Sequence, residues 1–173
     1  MKNCFNSSVH PRDEHGRFSE KGVMELTEDE RQELLDYLEH EEYEDYAGFH
    51  VSKRKMEAVR NGRYKVETTM CKILTDKGFN VYLLDESYVK GKKADTFFKK
   101  DENRDFLELK DTTNDITRQY NRSTAQARNC FISVKGYISS SQMKSLKEAI
   151  EKNESAGEVY LYTSADEKFM RIK

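Results

Sequence analysis

The stretch Lys90–Asp111, KGKKADTFFKKDENRDFLELKD, decides how the rest of the chain is read. It reads as two short strands joined by a polar turn. Phe97, Phe98, Phe106, Leu107 and Leu109 belong in a core, and Asp95, Glu108 and Lys110 are charges set among them. Side chains alternate between the faces of a strand, so Glu108 and Lys110 share one face while Leu107 and Leu109 point to the other. Asp95 joins the two charges only in certain registers, because a one-residue slip moves every side chain to the opposite face. A two-residue loop at Asp101 and Glu102 puts Asp95 opposite Glu108, a four-residue loop from Asp101 to Arg104 puts it opposite Lys110, and a three-residue loop separates them.

The surrounding chain has 173 residues, enough for one ordinary domain with an appendage. Apolar and charged residues each make up 36%, which predicts a soluble protein with a small core. No window approaches the length of an apolar membrane span. The N-terminal MKNCFNSSVH lacks the apolar run of a signal peptide, so the mature chain is expected to start as written. Cys4, Cys71 and Cys130 are dispersed and form no CxxC pair. That argues against a disulfide framework or cysteine zinc site, and for buried thiols in a reducing compartment.

A net charge of −2 conceals a strong asymmetry. Between Glu25 and Tyr46 eleven acids face Arg31 alone, for −10, while residues 47–173 carry +7. A basic body favours an anionic partner.

Residues 1–24 are polar and without periodicity, and read as a disordered or linker tail. Thr27 to Glu30 has the spacing of a capping box, so residues 25–48 are expected to be an acidic helix with Leu34, Leu35, Leu38 and Tyr37 along its apolar side and Gly48 at its end. A second helix is expected from about residue 51 or 53 to Asp76, with a break at Asn61 and Gly62. Its inner stripe is Val66, Met70, Ile73 and Leu74, and Gly78 stops it. Then come a strand at 80–86, the hairpin, a helix from Asn114 or Asp115 to Arg128, and a strand at 130–134. A helix at 140–153 and strands at 158–163 and 168–172 complete the chain. Residues 49–173 are thus expected to form one α/β domain around a mixed sheet flanked by helices.

Two carboxylates on one sheet face repel unless something neutralises them, and hard oxygen ligands suit Mg²⁺ or Mn²⁺. Asp95 and Glu108 would be the ligands, with the backbone carbonyl of Leu109 beside them. Lys110 would hold the attacking water and offset charge building on a phosphate. Glu67, one residue off the inner stripe of the second helix, supplies a third acid.

Glu67, then Asp95, then Glu108-Leu109-Lys110, in the order helix, hairpin strand, hairpin strand, resembles the PD-(D/E)XK nuclease superfamily. The phrases VETTMCKILTDKGFNVYLLDE, KGKKADTFFKK, FLELKDTT and STAQARNCFISV resemble the C-terminal toxin domains of contact-dependent growth inhibition proteins, over residues 64–135. Ala94 stands where that motif has proline. The resemblance implies a three-layer core and phosphodiester hydrolysis, with Asp95 and Glu108 binding metal, Lys110 as the catalytic lysine and Glu67 as the auxiliary acid. Gln126 matches a glutamine that supports the active site in related nucleases. Transfer RNA is the implied substrate, an immunity protein the implied partner, and the cytoplasm the implied site of action after delivery by a phage or secretion system. HPRDEHGRFSEKG resembles connecting segments of phage head-associated proteins.

Lys92, Lys93, Arg118 and Arg122 are the candidate phosphate contacts, with Lys90, Lys99 and Lys100 near them. Tyr120 and Tyr137 are expected in the core, with stacking on bases of a distorted RNA as the alternative. His10, His15, His40 and His50 all precede the first expected helix of the α/β body, which argues against histidine-based RNase chemistry. The chain lacks the glycine pattern of a phosphate-binding nucleotide loop. Two other functions fit the same residues, a DNA endonuclease of a phage or mobile element and a non-catalytic nucleic-acid-binding or head-associated protein. The acidic helix reads either as a solvated helix docked by its leucines or as a cover that restrains the basic body.

Overall fold

The computed structural model describes residues 27–85 and 94–173, and the chain divides into two compact units after Glu39. In the first unit α1 spans Glu28–Glu39. Its capping box forms as the spacing predicts. The Glu30 N–H donates to the Thr27 hydroxyl at 3.3 Å, and the Thr27 N–H donates to the Glu30 carboxylate at 2.9 Å. Leu35 and Leu38 are buried, and Tyr37 is exposed.

The acidic helix does not continue to Gly48. In the second unit, His40–Lys173, β1 (Tyr43–Tyr46) and β2 (Phe49–Ser52) form a hairpin in which Tyr46 faces Phe49 across a two-residue turn. Ala47 and Gly48 both take positive φ, 51° and 92°, as a twisted two-residue hairpin turn requires. Gly48 therefore turns a hairpin rather than ending a helix, and the boundary expected at 48 lies at Glu39.

The second expected helix splits as the Asn61 and Gly62 break suggests, into α2 (Lys53–Arg60) and α3 (Lys65–Asp76). Gly78, at φ +84°, closes α3 with Phe79 N–H donating to the Leu74 carbonyl at 3.2 Å, an arrangement that favours glycine. Met70, Cys71 and Leu74 are buried, but Val66 is 45% exposed and leaves the expected stripe.

The chain continues through β3 (Asn80–Leu83), β4 (Thr96–Lys100), β5 (Asn103–Thr112), α4 (Ile116–Ser123) and β6 (Asn129–Val134). It ends with α5 (Ser140–Glu151), β7 (Val159–Thr163) and β8 (Lys168–Arg171). Among the described residues the eight strands join one mixed sheet in sequence order. β2 with β3, β5 with β6 and β6 with β7 are parallel, and the other neighbours are antiparallel.

β4 and β5 pair from Thr96 opposite Leu107 to Lys100 opposite Asn103, so the turn is Asp101 and Glu102 alone. Of the two registers open to the sequence, this is the one that sets Asp95 opposite Glu108.

Alternation along the strands divides the core into two faces. Val51, Val81, Leu83, Phe98, Leu107, Leu109 and Phe131 pack with α2 and α3. Cys130, Ile132, Val134, Val159 and Leu161 pack with α4 and α5 on the other face. β5 is touched by α3 on one side and α4 on the other. The three parallel crossovers, β2 to β3, β5 to β6 and β6 to β7, advance across the sheet in the same direction. The first has its helices on the opposite face from the other two and so the opposite hand, and the three do not all follow the usual right-handed rule.

Among the described residues no helix is long and apolar enough to cross a membrane. Phe131 is fully buried on the α3 face and lies 5.7 Å from the Phe169 ring. Phe131→Ala is expected to destabilise the chain by about 3–5 kcal/mol through lost burial and the cavity left behind, read as a lower urea midpoint.

Candidate active site

Glu108 is a carboxylate in the middle of a central strand. Its side chain is 1% exposed, because β5 is covered on both faces. The Lys110 ammonium, on the same face of the strand, donates to Glu108 Oε1 and also to Gln126 Oε1 at 3.2 Å. Glu108 Oε2 is buried with no hydrogen-bond partner.

Asp95 stands just ahead of β4, where the ladder to β5 ends. Its Oδ2 accepts the Leu109 N–H at 3.1 Å. The N–H and C=O of one strand residue point to the same side. The Leu109 carbonyl is therefore directed past the end of β4, toward the Asp95 side.

Gln126 arrives because α4 stops early. Asp115 caps the helix, accepting the Arg118 N–H at 3.0 Å. The expected run to Arg128 ends instead at Ser123. Ser123 and Thr124 turn their hydroxyls onto the carbonyls of Tyr120 and Asn121, at 2.7 and 2.9 Å, a local competition that weakens helix continuation. The chain then folds back with the Gln126 N–H on the Ser123 carbonyl at 2.8 Å.

Burial, with the charge of Asp95 beside it, pushes the Glu108 carboxyl up to about 7 on balance. Hydrogen bonding and charge from Lys110, with the Asp95 backbone amide, pull it down. Cys130 lies opposite Glu108 in the β5 and β6 register. Its thiol is pushed up to about 12, chiefly by burial, and it senses both Glu108 and Lys110.

Asp95, Glu108, Lys110 and Gln126 thus come together. Glu67 sits half-buried in the first turn of α3. Its charge acts on the buried Cys71 thiol, one turn further along the same helix, and among the described residues no contact joins it to Asp95, Glu108 or Lys110. Among the described residues no three His, Cys, Asp or Glu side chains converge as ligands of one ion. The acids that share a site are the pair Asp95 and Glu108.

Arg118 and Arg122 are exposed on α4, one turn apart. Lys90, Lys92 and Lys93 lie outside the described residues. Tyr120 is buried as expected, whereas Tyr137 is 75% exposed and leaves the core.

His50 does not precede the domain. It lies in β2, 2.6 Å from Asp45 and stacked 4.5 Å from Tyr82. Strand spacing puts it about 12 Å from Asp95, too far to act there. One buried cation escaped the sequence reading, Lys55 of α2. Its signal was its spacing, four residues before buried Val59 and next to Met56, on the inner stripe.

No family model, curated protein or solved structure matches the chain.

The residues suit a hard divalent cation on two observations. The Glu108 oxygen without a partner is the kind of buried polar atom that calls for one. The neighbouring donors, Asp95 and the Leu109 carbonyl, are all oxygens, which suits Mg²⁺ or Mn²⁺ better than softer metals.

Between about pH 4.5 and 7 the folded chain holds the Glu108 proton while the unfolded chain has released it. This group's contribution to stability therefore falls as pH rises through that window and is level above it. Glu108→Gln removes the fall. The variant should match the wild type near pH 4 and exceed it at pH 8 by about 3 kcal/mol in urea unfolding. Parallel pH profiles for the two proteins would contradict the assignment.

Proposed function

We propose that the chain is a metal-dependent endonuclease of the PD-(D/E)XK type, a toxin whose substrate is transfer RNA. The observation that carries the reading is the buried Glu108, with one oxygen on Lys110 and the other without a partner, opposite Asp95 at the end of β4. The resemblance of residues 64–135 to contact-dependent growth inhibition toxins supports the choice of transfer RNA and of an immunity protein as partner.

In this reading Asp95, Glu108 and the Leu109 carbonyl would hold Mg²⁺ or Mn²⁺, which supplies Lewis-acid stabilisation of charge on the phosphate. Lys110 presents a fixed positive charge toward the phosphate and orients the attacking water. Gln126 accepts from the same ammonium and so fixes its direction. Glu67 of α3 is the auxiliary acid that the resemblance implies. Arg118 and Arg122, exposed on the helix that leads to Gln126, take flanking phosphates together with Lys92 and Lys93.

The decisive experiment incubates the purified chain with total transfer RNA and with duplex DNA, each with Mg²⁺ and with chelator. Transfer RNA should be cut only with Mg²⁺. Asp95→Ala should lower the rate at least about a hundredfold, and Gln126→Ala about ten- to a hundredfold. Cleavage that survives the chelator or Asp95→Ala refutes the mechanism. Cleavage of DNA alone replaces the substrate, and no cleavage of either polymer leaves a binding protein. The acidic leader is the proposed restraint on this activity. A chain starting at His40, which keeps β1, should cut several-fold faster than the full chain, and equal rates remove that role.

A further inference from the structure

Lys55 is only 6% exposed. Lysine is seldom buried so deeply, since an ammonium taken out of water must be held by other groups. Its Nζ donates to the Leu84 carbonyl at 3.0 Å and lies 4.1 Å from the centre of the Tyr64 ring. A ring face attracts a desolvated cation strongly. Tyr64 takes φ 61° and ψ 34°, the left-handed region that residues with a Cβ rarely enter.

The Leu84 backbone links this cation to the site. While its carbonyl accepts from Lys55, its N–H donates to the Asp95 carbonyl at 3.0 Å. The Asp95 side chain in turn accepts from Leu109 at 3.1 Å. A continuous path of hydrogen bonds thus runs from a helix ammonium, through the end of β3, to the carboxylate facing Glu108. The buried Cys71 thiol lies within reach of the same charges. Burial raises it, Asp95 and Glu67 add to the rise, and Lys55 opposes it.

We infer that Lys55 is a positioning residue for the carboxylate site, fixing the backbone link between Leu84 and Asp95 and so setting where the Asp95 carboxylate stands beside Glu108. The inference rests on the reading of Asp95 and Glu108 as a divalent-cation site. Removing the ammonium leaves a buried carbonyl without its donor, and the link is then free to shift. An effect on Asp95 alone predicts weaker cation binding and slower turnover, with the affinity for nucleic acid unchanged.

The test measures Mn²⁺ binding to the full chain by titration, together with kcat and KM on transfer RNA. Lys55→Met should bind Mn²⁺ at least about tenfold more weakly and lower kcat with KM unchanged, and Lys55→Arg should recover part of both. A folded Lys55→Met that binds Mn²⁺ as tightly as the wild type overturns the inference. If Lys55→Met does not fold, Tyr64→Leu decides, because it removes only the ring from the ammonium. About threefold weaker Mn²⁺ binding supports the role, and unchanged binding overturns it. A wild-type chain that binds no Mn²⁺ refutes the cation site itself, a result distinct from binding retained in the variants.

Discussion

A carboxylate that must stay buried in a strand covered on both faces is the constraint on which this structure turns. Taking an isolated carboxylate out of water costs several kcal/mol even after relaxation, and Glu108 has Lys110 on only one of its oxygens. The surrounding architecture answers that cost locally. β4 ends where Asp95 can accept from the Leu109 amide, and α4 breaks off where Gln126 can share the Lys110 ammonium. The two apolar faces of the sheet supply the stability that lets the rest of the fold tolerate such a site.

The position of the site follows from how the sheet is covered. α2 and α3 lie on one face and α4 and α5 on the other, so β5 is clasped between the layers. A strand in that position must be apolar on both sides, and Leu107 and Leu109 satisfy one of them. On the other side Glu108 and Lys110 interrupt the apolar surface that Cys130 and Ile132 continue, at the same levels of the neighbouring strand. The charges therefore sit at the margin of a core and not on an ordinary solvated face.

Much of this was legible from side-chain period alone. Alternation placed Glu108 and Lys110 together, and the hairpin arithmetic left two registers, of which the structure takes one. The choice between them depends on turn geometry at Asp101, whose positive φ no composition rule imposes. The β1 and β2 hairpin was hidden because Glu41, Glu42, Glu44 and Asp45 extend the acidic character of α1, while the strands themselves are only four residues each. Lys55 was missed for a different reason. A lysine reads as surface unless its neighbours at helical spacing are weighed first, and its acceptor at Leu84 comes from a distant segment. Gln126 was reached only through resemblance, since the early end of α4 depends on hydroxyl bonds that periodicity does not reveal.

The turn at Asp101 and Glu102 gives the hairpin a property that residue identity alone does not express. What matters for the face on which Asp95 emerges is which residue of β5 it stands opposite, and the turn sets that register. Chains descended from a common ancestor could replace both turn residues and still deliver an acid beside Glu108. A slip of one residue between the strands would leave composition, charge and both strands intact while turning that acid away. Divergence in this hairpin is thus filtered by pairing, a constraint that position-by-position comparison of residues does not register.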